Sequence, residues 1–343
     1  MTDRDSELIR CAQSGRELRY QGAPPSPQLA ERMLEIPTGL LLDARERNPA
    51  LAALDLEDAL ERLTHEWVDR DGELVHLELH QAEPGAPTVV IAPGLGDHAR
   101  RLTPLAAALV ERGFNALGVD RRGHGLSEGG RGDASLEEDF AVLRLAIAEA
   151  RRRFGGPVAL LGDSLGGIMT WYLLTAEPGV DTAVCHDVSH PDESHDSSMR
   201  YKAPLMRALG RLLPGAPVPV RRIADYEHVA LDPVTRAYFD DEIDKLFNFT
   251  ITARAAASYL AFEPETPWER VQIPVLVVVG AEDRMVSPAF TERCLARAKP
   301  PATTYLEVPG AGHQLFLDDL GLVLEPLVEW MRVALAARPA AAA

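Results

Sequence analysis

Two stretches of the chain carry a serine between alternate glycines, Gly162-Asp163-Ser164-Leu165-Gly166 and Gly125-Leu126-Ser127-Glu128-Gly129. A serine hydroxyl becomes a nucleophile when a base takes its proton and the backbone holds it in the open. A sharp turn from a buried strand into a helix does the second. Two glycines and a serine recur by chance too often for the pattern alone to decide between the two, since glycine is about 7% of residues. The flanks decide. Pro157-Val158-Ala159-Leu160-Leu161 is a short apolar run of strand type leading directly into Gly162, and Gly166-Gly167-Ile168-Met169-Thr170-Trp171-Tyr172-Leu173-Leu174 reads as the following helix. Ser127 lies in the glycine-rich loop 122–132 with no strand running into it. Ser164 is therefore the expected nucleophile, and Ser127 a loop residue.

A serine on such a turn is followed along the chain by its acid and then by its histidine. Asp283, in Gly280-Ala281-Glu282-Asp283-Arg284-Met285-Val286, comes just past an apolar run at 275–279, and His313, in Gly310-Ala311-Gly312-His313, comes just past another at 304–308. Both would emerge at the sheet edge where Ser164 emerges. His313 would accept the Ser164 proton and pass it to the leaving group, while Asp283 would hold the imidazole tautomer and stabilise its cation. Glu282 and Asp187, the latter just past the run 182–185, compete for the place of the acid. The tetrahedral intermediate also needs backbone N–H donors. Leu165, directly after the nucleophile, offers one, and Leu95 offers the second because Pro93-Gly94-Leu95-Gly96-Asp97-His98 follows the early strand 88–92. His186, Asp187, His190, Asp192, Glu193, His195 and Asp196 crowd one further segment. Their spacing matches no familiar zinc site, so no metal and no other cofactor is expected.

These residues need a scaffold, and from residue 88 onward the chain supplies one. Apolar runs at 88–92, 116–119, 158–161, 182–185, 275–279 and 304–308 alternate with helical patterns at 104–112, 136–153 and 166–175. That rhythm predicts an α/β architecture, a mostly parallel sheet with helices on both faces. Ahead of it, Glu66-Trp67-Val68 and Glu73-Leu74-Val75-His76-Leu77-Glu78-Leu79 flank Arg70-Asp71-Gly72, the pattern of an antiparallel hairpin. Residues 190–272 break the rhythm, and a loop of that length would be unusual, so a helical cap inserted above the sheet is expected. The core is then 61–189 with 273–335. Residues 1–60, with Pro24-Pro25-Ser26-Pro27 and a helical pattern at 56–63, read as an accessory segment packed on it, and the alanines after Arg338-Pro339 as a frayed end.

Composition narrows the partners. With 46% hydrophobic and 25% charged residues in 343, this is an ordinary globular chain, and no apolar stretch is long enough for a membrane span. The net charge of -17 repels phosphate backbones and anionic surfaces. Nucleic acid is not an expected partner and membrane insertion is not expected; a small-molecule ester is. Met1-Thr2-Asp3-Arg4-Asp5 lacks a basic patch and apolar run, and Cys11, Cys185 and Cys294 are few and scattered, which reads as a reduced, cytoplasmic protein.

Together these motifs resemble the monoacylglycerol lipase and lysophospholipase group of α/β-hydrolases. The likeness runs from about 67 to 188, through Pro93-Gly94-Leu95-Gly96-Asp97-His98, Val119-Asp120-Arg121-Arg122-Gly123-His124-Gly125-Leu126-Ser127-Glu128-Gly129 and the Ser164 turn. It resumes at 274–317 with Gly280-Ala281-Glu282-Asp283 and Gly310-Ala311-Gly312-His313-Gln314. The resemblance implies an α/β-hydrolase fold with a cap, Ser164, Asp283 and His313 as the triad, Leu95 and Leu165 as the oxyanion hole, and an ester of monoacylglycerol or lysophospholipid type as substrate. The chain departs from the group at Pro93-Gly94, where His-Gly is usual, and at Asp163, where His is common. Dehalogenase and epoxide hydrolase chemistry would need a carboxylate at position 164. A serine peptidase or acyltransferase could use the same triad, and a ligand-binding protein could keep the scaffold without the reaction. Labelling by a fluorophosphonate separates that last class from the enzymes.

Overall fold

Strands that are apolar at every position must be buried on both faces, and the central strands of this chain meet that demand. The computed structural model describes residues 8–10, 17–22, 58–59, 62–194, 199–223, 228–240, 244 and 246–336. Its strands begin with β1 (Leu8–Arg10), β2 (Glu17–Gly22), β3 (Thr64–Arg70), β4 (Glu73–His80), β5 (Thr88–Ala92) and β6 (Asn115–Val119). They continue with β7 (Val158–Gly162), β8 (Thr182–His186), β9 (Pro217–Pro219), β10 (Thr250–Thr252), β11 (Val275–Gly280) and β12 (Thr303–Val308). β9 and β10 pair with each other, and the other ten form one sheet in the order β1-β2-β3-β4-β6-β5-β7-β8-β11-β12. β4 runs antiparallel to both β3 and β6, and every pair from β6 through β12 is parallel. This is the mostly parallel α/β architecture expected from the alternation of strands and helices, in the α/β-hydrolase form that the resemblance implies, and the hairpin β3–β4 turns at Asp71-Gly72 as its sequence predicts.

Alternate residues of each central strand feed two separate cores. Val90, Leu117, Leu160, Ala183 and Val277 pack with Val142, Leu143, Ala146 and Ile147 of the helix Leu136–Phe154. Val89, Ile91, Ala159, Leu161, Val184 and Val278 pack on the other side with the helices Thr103–Glu111 and Leu320–Ala336. A period of two along each strand thus divides between two buried faces. Each well-buried Leu or Val contributes roughly 1.5–3 kcal/mol. The helix Leu136–Phe154 is closed at its start by a capping box of Ser135 and Glu138, and at its end by Gly155 at φ 72°.

The N-terminal segment differs from its sequence reading. Beyond the helical pattern read at 56–63, no strand is expected in the first 60 residues, yet β1 and β2 are strands, and β2 adds to the sheet edge parallel to β3. The signal was present in Glu17-Leu18-Arg19-Tyr20-Gln21, whose polar and apolar residues alternate. Of the pattern at 56–63, Asp58, Ala59 and Arg62 are helical, while Pro24 to Pro27, Cys11 and the C-terminal alanines lie outside the described residues.

Between β8 and β11 the chain forms the helices Met199–Leu212, Pro233–Asp240 and Ala253–Tyr259 and the small β9–β10 ribbon. Met206 and Leu209 pack against Val218, Val220 and Ile251, but Leu205, Leu212 and Leu213 are exposed, so this stretch does not spend all its apolar residues on the core. Among the described residues no helix is long and apolar enough to cross a membrane.

Candidate active site

The strand β7 ends at Gly162, and only two residues separate it from the helix Leu165–Leu173. So abrupt a reversal forces Ser164 to φ 53°, ψ −118°. A non-glycine residue seldom adopts such a conformation, and where it does the surroundings must hold it there. The motif glycines make the turn possible. A Cβ at Gly162 would lie 2.1 Å from the Gly166 carbonyl oxygen, and one at Gly166 would lie 2.0 Å from that of Ala92. Either would push the helix off the strand.

The structure brings together the three residues expected to do the chemistry. Ser164 Oγ lies 2.9 Å from His313 Nε2, and His313 Nδ1 lies 2.8 Å from Asp283 Oδ2. The other oxygen of Asp283 accepts the N–H groups of Met285 at 2.7 Å and Val286 at 2.9 Å, which fixes the carboxylate. Glu282, one of the competing acids, is exposed. Ser127, the alternative serine, is fully buried elsewhere: its hydroxyl donates to the Asp120 carbonyl at 2.7 Å and accepts the His76 N–H at 2.8 Å.

Asp187, the other competing acid, also reaches the histidine. It caps β8 as Asp283 caps the neighbouring β11, so parallel pairing delivers both carboxylates to one edge. Its Oδ2 is 3.5 Å from His313 Nδ1 and its Oδ1 is 3.6 Å from His186 Nε2, and neither oxygen has a hydrogen-bond partner among the described residues. Burial, with Asp283 and Asp163 nearby, pushes its carboxyl up to about 7 against the pull of His186 and His313. Asp283 moves the other way. Burial alone would raise it, but His313, its hydrogen bond, His186 and the Val286 amide hold it below the ordinary carboxylate value. His186 completes the cluster by bonding Asp163 Oδ1 through Nδ1 at 2.7 Å. This link from the residue before the nucleophile was not foreseen; Asp163 standing in a place where histidine is common was the available hint.

The ligating atoms of His186, Asp187, Asp283 and His313 all lie within 4.8 Å of one another. Two ligands of a tetrahedral zinc would sit about 3.3 Å apart. The 2.8 Å between His313 and Asp283 is the spacing of a hydrogen bond instead. The rest of the histidine-rich loop disperses: His190 packs against Trp268 with ring centroids 5.1 Å apart, and Glu193 pairs with Arg297 at 2.8 Å and Arg293 at 3.2 Å. His195 and Asp196 lie outside the described residues.

The two expected oxyanion donors flank the nucleophile. Leu165 opens its helix, where the first N–H groups have no intrahelical acceptor. Gly94 sits so close that a Cβ on it would be 3.3 Å from Ser164 Cβ, and Leu95 is the next residue along the chain. The Leu95 side chain packs against Val218, Val220 and Ile251 of the insertion.

The charge around His313 carries a prediction. Burial pulls its pKa down, but Asp283, the hydrogen bond to it, Asp187 and Asp163 more than reverse this and raise it to about 9. A general base works only when deprotonated, so activity present at high pH is lost as pH falls through this value. The pH profile of kcat/KM is expected to show an acid limb well above the usual imidazole value of about 6.5, and Asp283→Asn to move that limb downward. A wild-type limb at or below the usual value would contradict the ion-pair picture.

Residues 83–319 match the sequence family described as Serine aminopeptidase, S33. The chain is 29% identical over 253 residues to a monoacylglycerol lipase of Mycolicibacterium smegmatis, covering 71% of this chain and 87% of that one. The crystal structure of a monoacylglycerol lipase from Paleococcus ferrophilus is similar with a TM-score of 0.63 at 25% identity, over 76% of this chain and 99% of the other. A soluble variant of monoglyceride lipase from Saccharomyces cerevisiae, in complex with a substrate analog, shares the fold with a TM-score of 0.66 at 16% identity, over 79% and 94% of the two chains.

Proposed function

The chain belongs to the serine aminopeptidase S33 family, whose model matches residues 83–319, and from that premise we propose a serine hydrolase that cleaves carboxylic esters through an acyl-enzyme on Ser164. The observation that supports this most is the chain of contacts from Ser164 Oγ to His313 at 2.9 Å and from His313 to Asp283 at 2.8 Å, behind a serine held at positive φ. His313 Nε2 takes the Ser164 proton as Oγ attacks the ester carbonyl. The carbonyl oxygen becomes an oxyanion between the Leu95 and Leu165 N–H groups, while Asp283 stabilises the imidazolium. His313 then protonates the departing alcohol, and the acyl-enzyme is released by water activated in the same way.

The substrate class rests on the walls and on two of the named relatives, at 29% and 25% identity, which are monoacylglycerol lipases. Leu231 of the insertion lies against Gly312, next to His313, where a Cβ would come within 2.7 Å of its Cγ, and Leu95, one residue after the Gly94 that abuts Ser164, packs on the apolar cluster of the insertion. Apolar walls favour an acyl chain. Each methylene buried there adds up to about 0.8 kcal/mol, roughly fourfold in kcat/KM. With p-nitrophenyl esters of graded length, kcat/KM is expected to rise from acetyl through the medium chains until the pocket is filled. Highest activity on acetyl esters, or preference for aminoacyl anilides, would replace the lipid-like ester with a small ester or a peptide.

The same proposal treats 190–272 as a cap over a core of 61–189 and 273–335, with 1–60 accessory to it. It also includes a cytoplasmic location, for which the support is that Cys185 and Cys294 are both buried and unpaired.

A further inference from the structure

Arg121 follows β6 and is 1% exposed, a cation with no proton to give to the reaction. Its guanidinium reaches in two directions. Nη2 donates to the Gly94 carbonyl at 2.9 Å. Nη1 donates to the Tyr259 hydroxyl at 2.9 Å and lies 3.3 Å from the buried Asp139 carboxylate, to which Tyr259 also donates. Tyr259 is the last residue of the helix Ala253–Tyr259, in the insertion.

The Gly94 carbonyl shares its peptide unit with the Leu95 N–H. That unit is planar, and no peptide bond described is cis, so the carbonyl and the N–H point in opposite directions. A rigid donor holding the Gly94 oxygen therefore aims the Leu95 N–H the other way. Gly94 lies against Ser164, and the Leu95 N–H has no backbone acceptor among the described residues. The same oxygen accepts the Asp97 N–H at 3.2 Å, which closes the turn. A charged donor on the carbonyl also polarises the amide and strengthens its N–H as a donor. The insertion grips this loop at two further points: Asn248 N–H donates to the Gly96 carbonyl at 2.7 Å, and His98 bonds Asp244 at 2.7 Å.

We propose that Arg121 is a positioning residue of the oxyanion hole, and that Tyr259 and Asp139 tie its orientation to the insertion, so that the hole is aligned when the insertion is docked. This rests on the reading of the Leu95 amide as an oxyanion donor.

Three variants test it. R121K keeps the charge but loses the planar fork. R121Q/D139N removes the buried ion pair as a unit and strands no carboxylate. Y259F removes one hydroxyl and leaves Arg121 in place. For each, kcat and KM on a p-nitrophenyl ester are measured with the melting temperature and the inhibition constant of an alkyl boronic acid, whose tetrahedral adduct on serine mimics the oxyanion. Losing an oxyanion donor outright costs about 10²–10³ in kcat, so misaligning one is expected to cost about 10- to 100-fold in R121Q/D139N, with KM nearly constant and boronate affinity falling in parallel. R121K is expected to recover part of the loss, and Y259F to show a smaller loss of the same kind. If R121Q/D139N does not fold, R121K and Y259F carry the test. A lower melting temperature with kcat and boronate affinity intact, or a raised KM with kcat intact, overturns the proposal. An unaltered Y259F removes the tie to the insertion. If the wild type itself neither turns over esters nor binds the boronate, the ester-hydrolase reading has failed instead.

Discussion

Ser164→Ala is expected to abolish ester turnover, a fall in kcat of about a millionfold by comparison with loss of the nucleophile in other serine hydrolases, and to abolish labelling by a fluorophosphonate. Ser127→Ala is the matched control, since it sits in the same sequence pattern. Its hydroxyl bridges the Asp120 carbonyl and the His76 N–H inside the protein, out of reach of any substrate. Removing it leaves a buried N–H without its acceptor, which costs stability by about 1–3 kcal/mol while labelling persists in the folded protein. The pair of variants thus separates chemistry from packing. Labelling retained in the Ser164 variant would sink the assignment of the nucleophile.

The second large effect is expected at Asp283. Asp283→Asn should lower kcat by about 10⁴-fold, because an amide at that position no longer holds the imidazole in the working tautomer or stabilises its cation. Asp187→Asn should cost less than about tenfold. The two carboxyls lie at the ends of adjacent strands, and their surroundings push them apart. Asp283 is hydrogen-bonded to the imidazole and to two backbone N–H groups, all of which favour its charged form. Asp187 is buried without any such donor, and its carboxyl, pushed up to about 7, carries a full charge only above neutrality. Rates are compared at equal folded fraction, with melting temperatures as the check. A larger drop for Asp187→Asn than for Asp283→Asn would mean that the acid has been assigned to the wrong strand.

Much of this could be read before any fold was known, for a physical reason. Short apolar runs bounded by Gly and Pro, such as 88–92 and 158–161, read as strands covered on both faces, and the passage from such a run through Gly-x-Ser-x-Gly into a helical pattern is a local property of neighbouring residues. The order serine, acid, histidine follows from where those runs end. The sequence of 17–21 carries an alternation that points to a strand, within a segment read only as accessory to the core.

What neighbours in sequence could not decide is which distant groups meet. Asp283 is the expected acid, with Glu282 and Asp187 as competitors; strand order and loop geometry leave Glu282 in solvent and set the other two at 2.8 and 3.5 Å from one imidazole nitrogen. The histidine-rich loop looked like a single cluster, yet its members divide between the catalytic cluster, an aromatic contact and surface ion pairs. Arg121 lies in a glycine-rich loop and Tyr259 in the insertion, and nothing in either segment announces the other. Backbone preference and hydrophobic period act over a few residues, and they wrote the strands and the turn at Ser164. Hydrogen bonds and burial depend on distance in space, so the distances that separate Asp283 from its competitors and the contact of Arg121 with the Gly94 carbonyl belong to the tertiary structure.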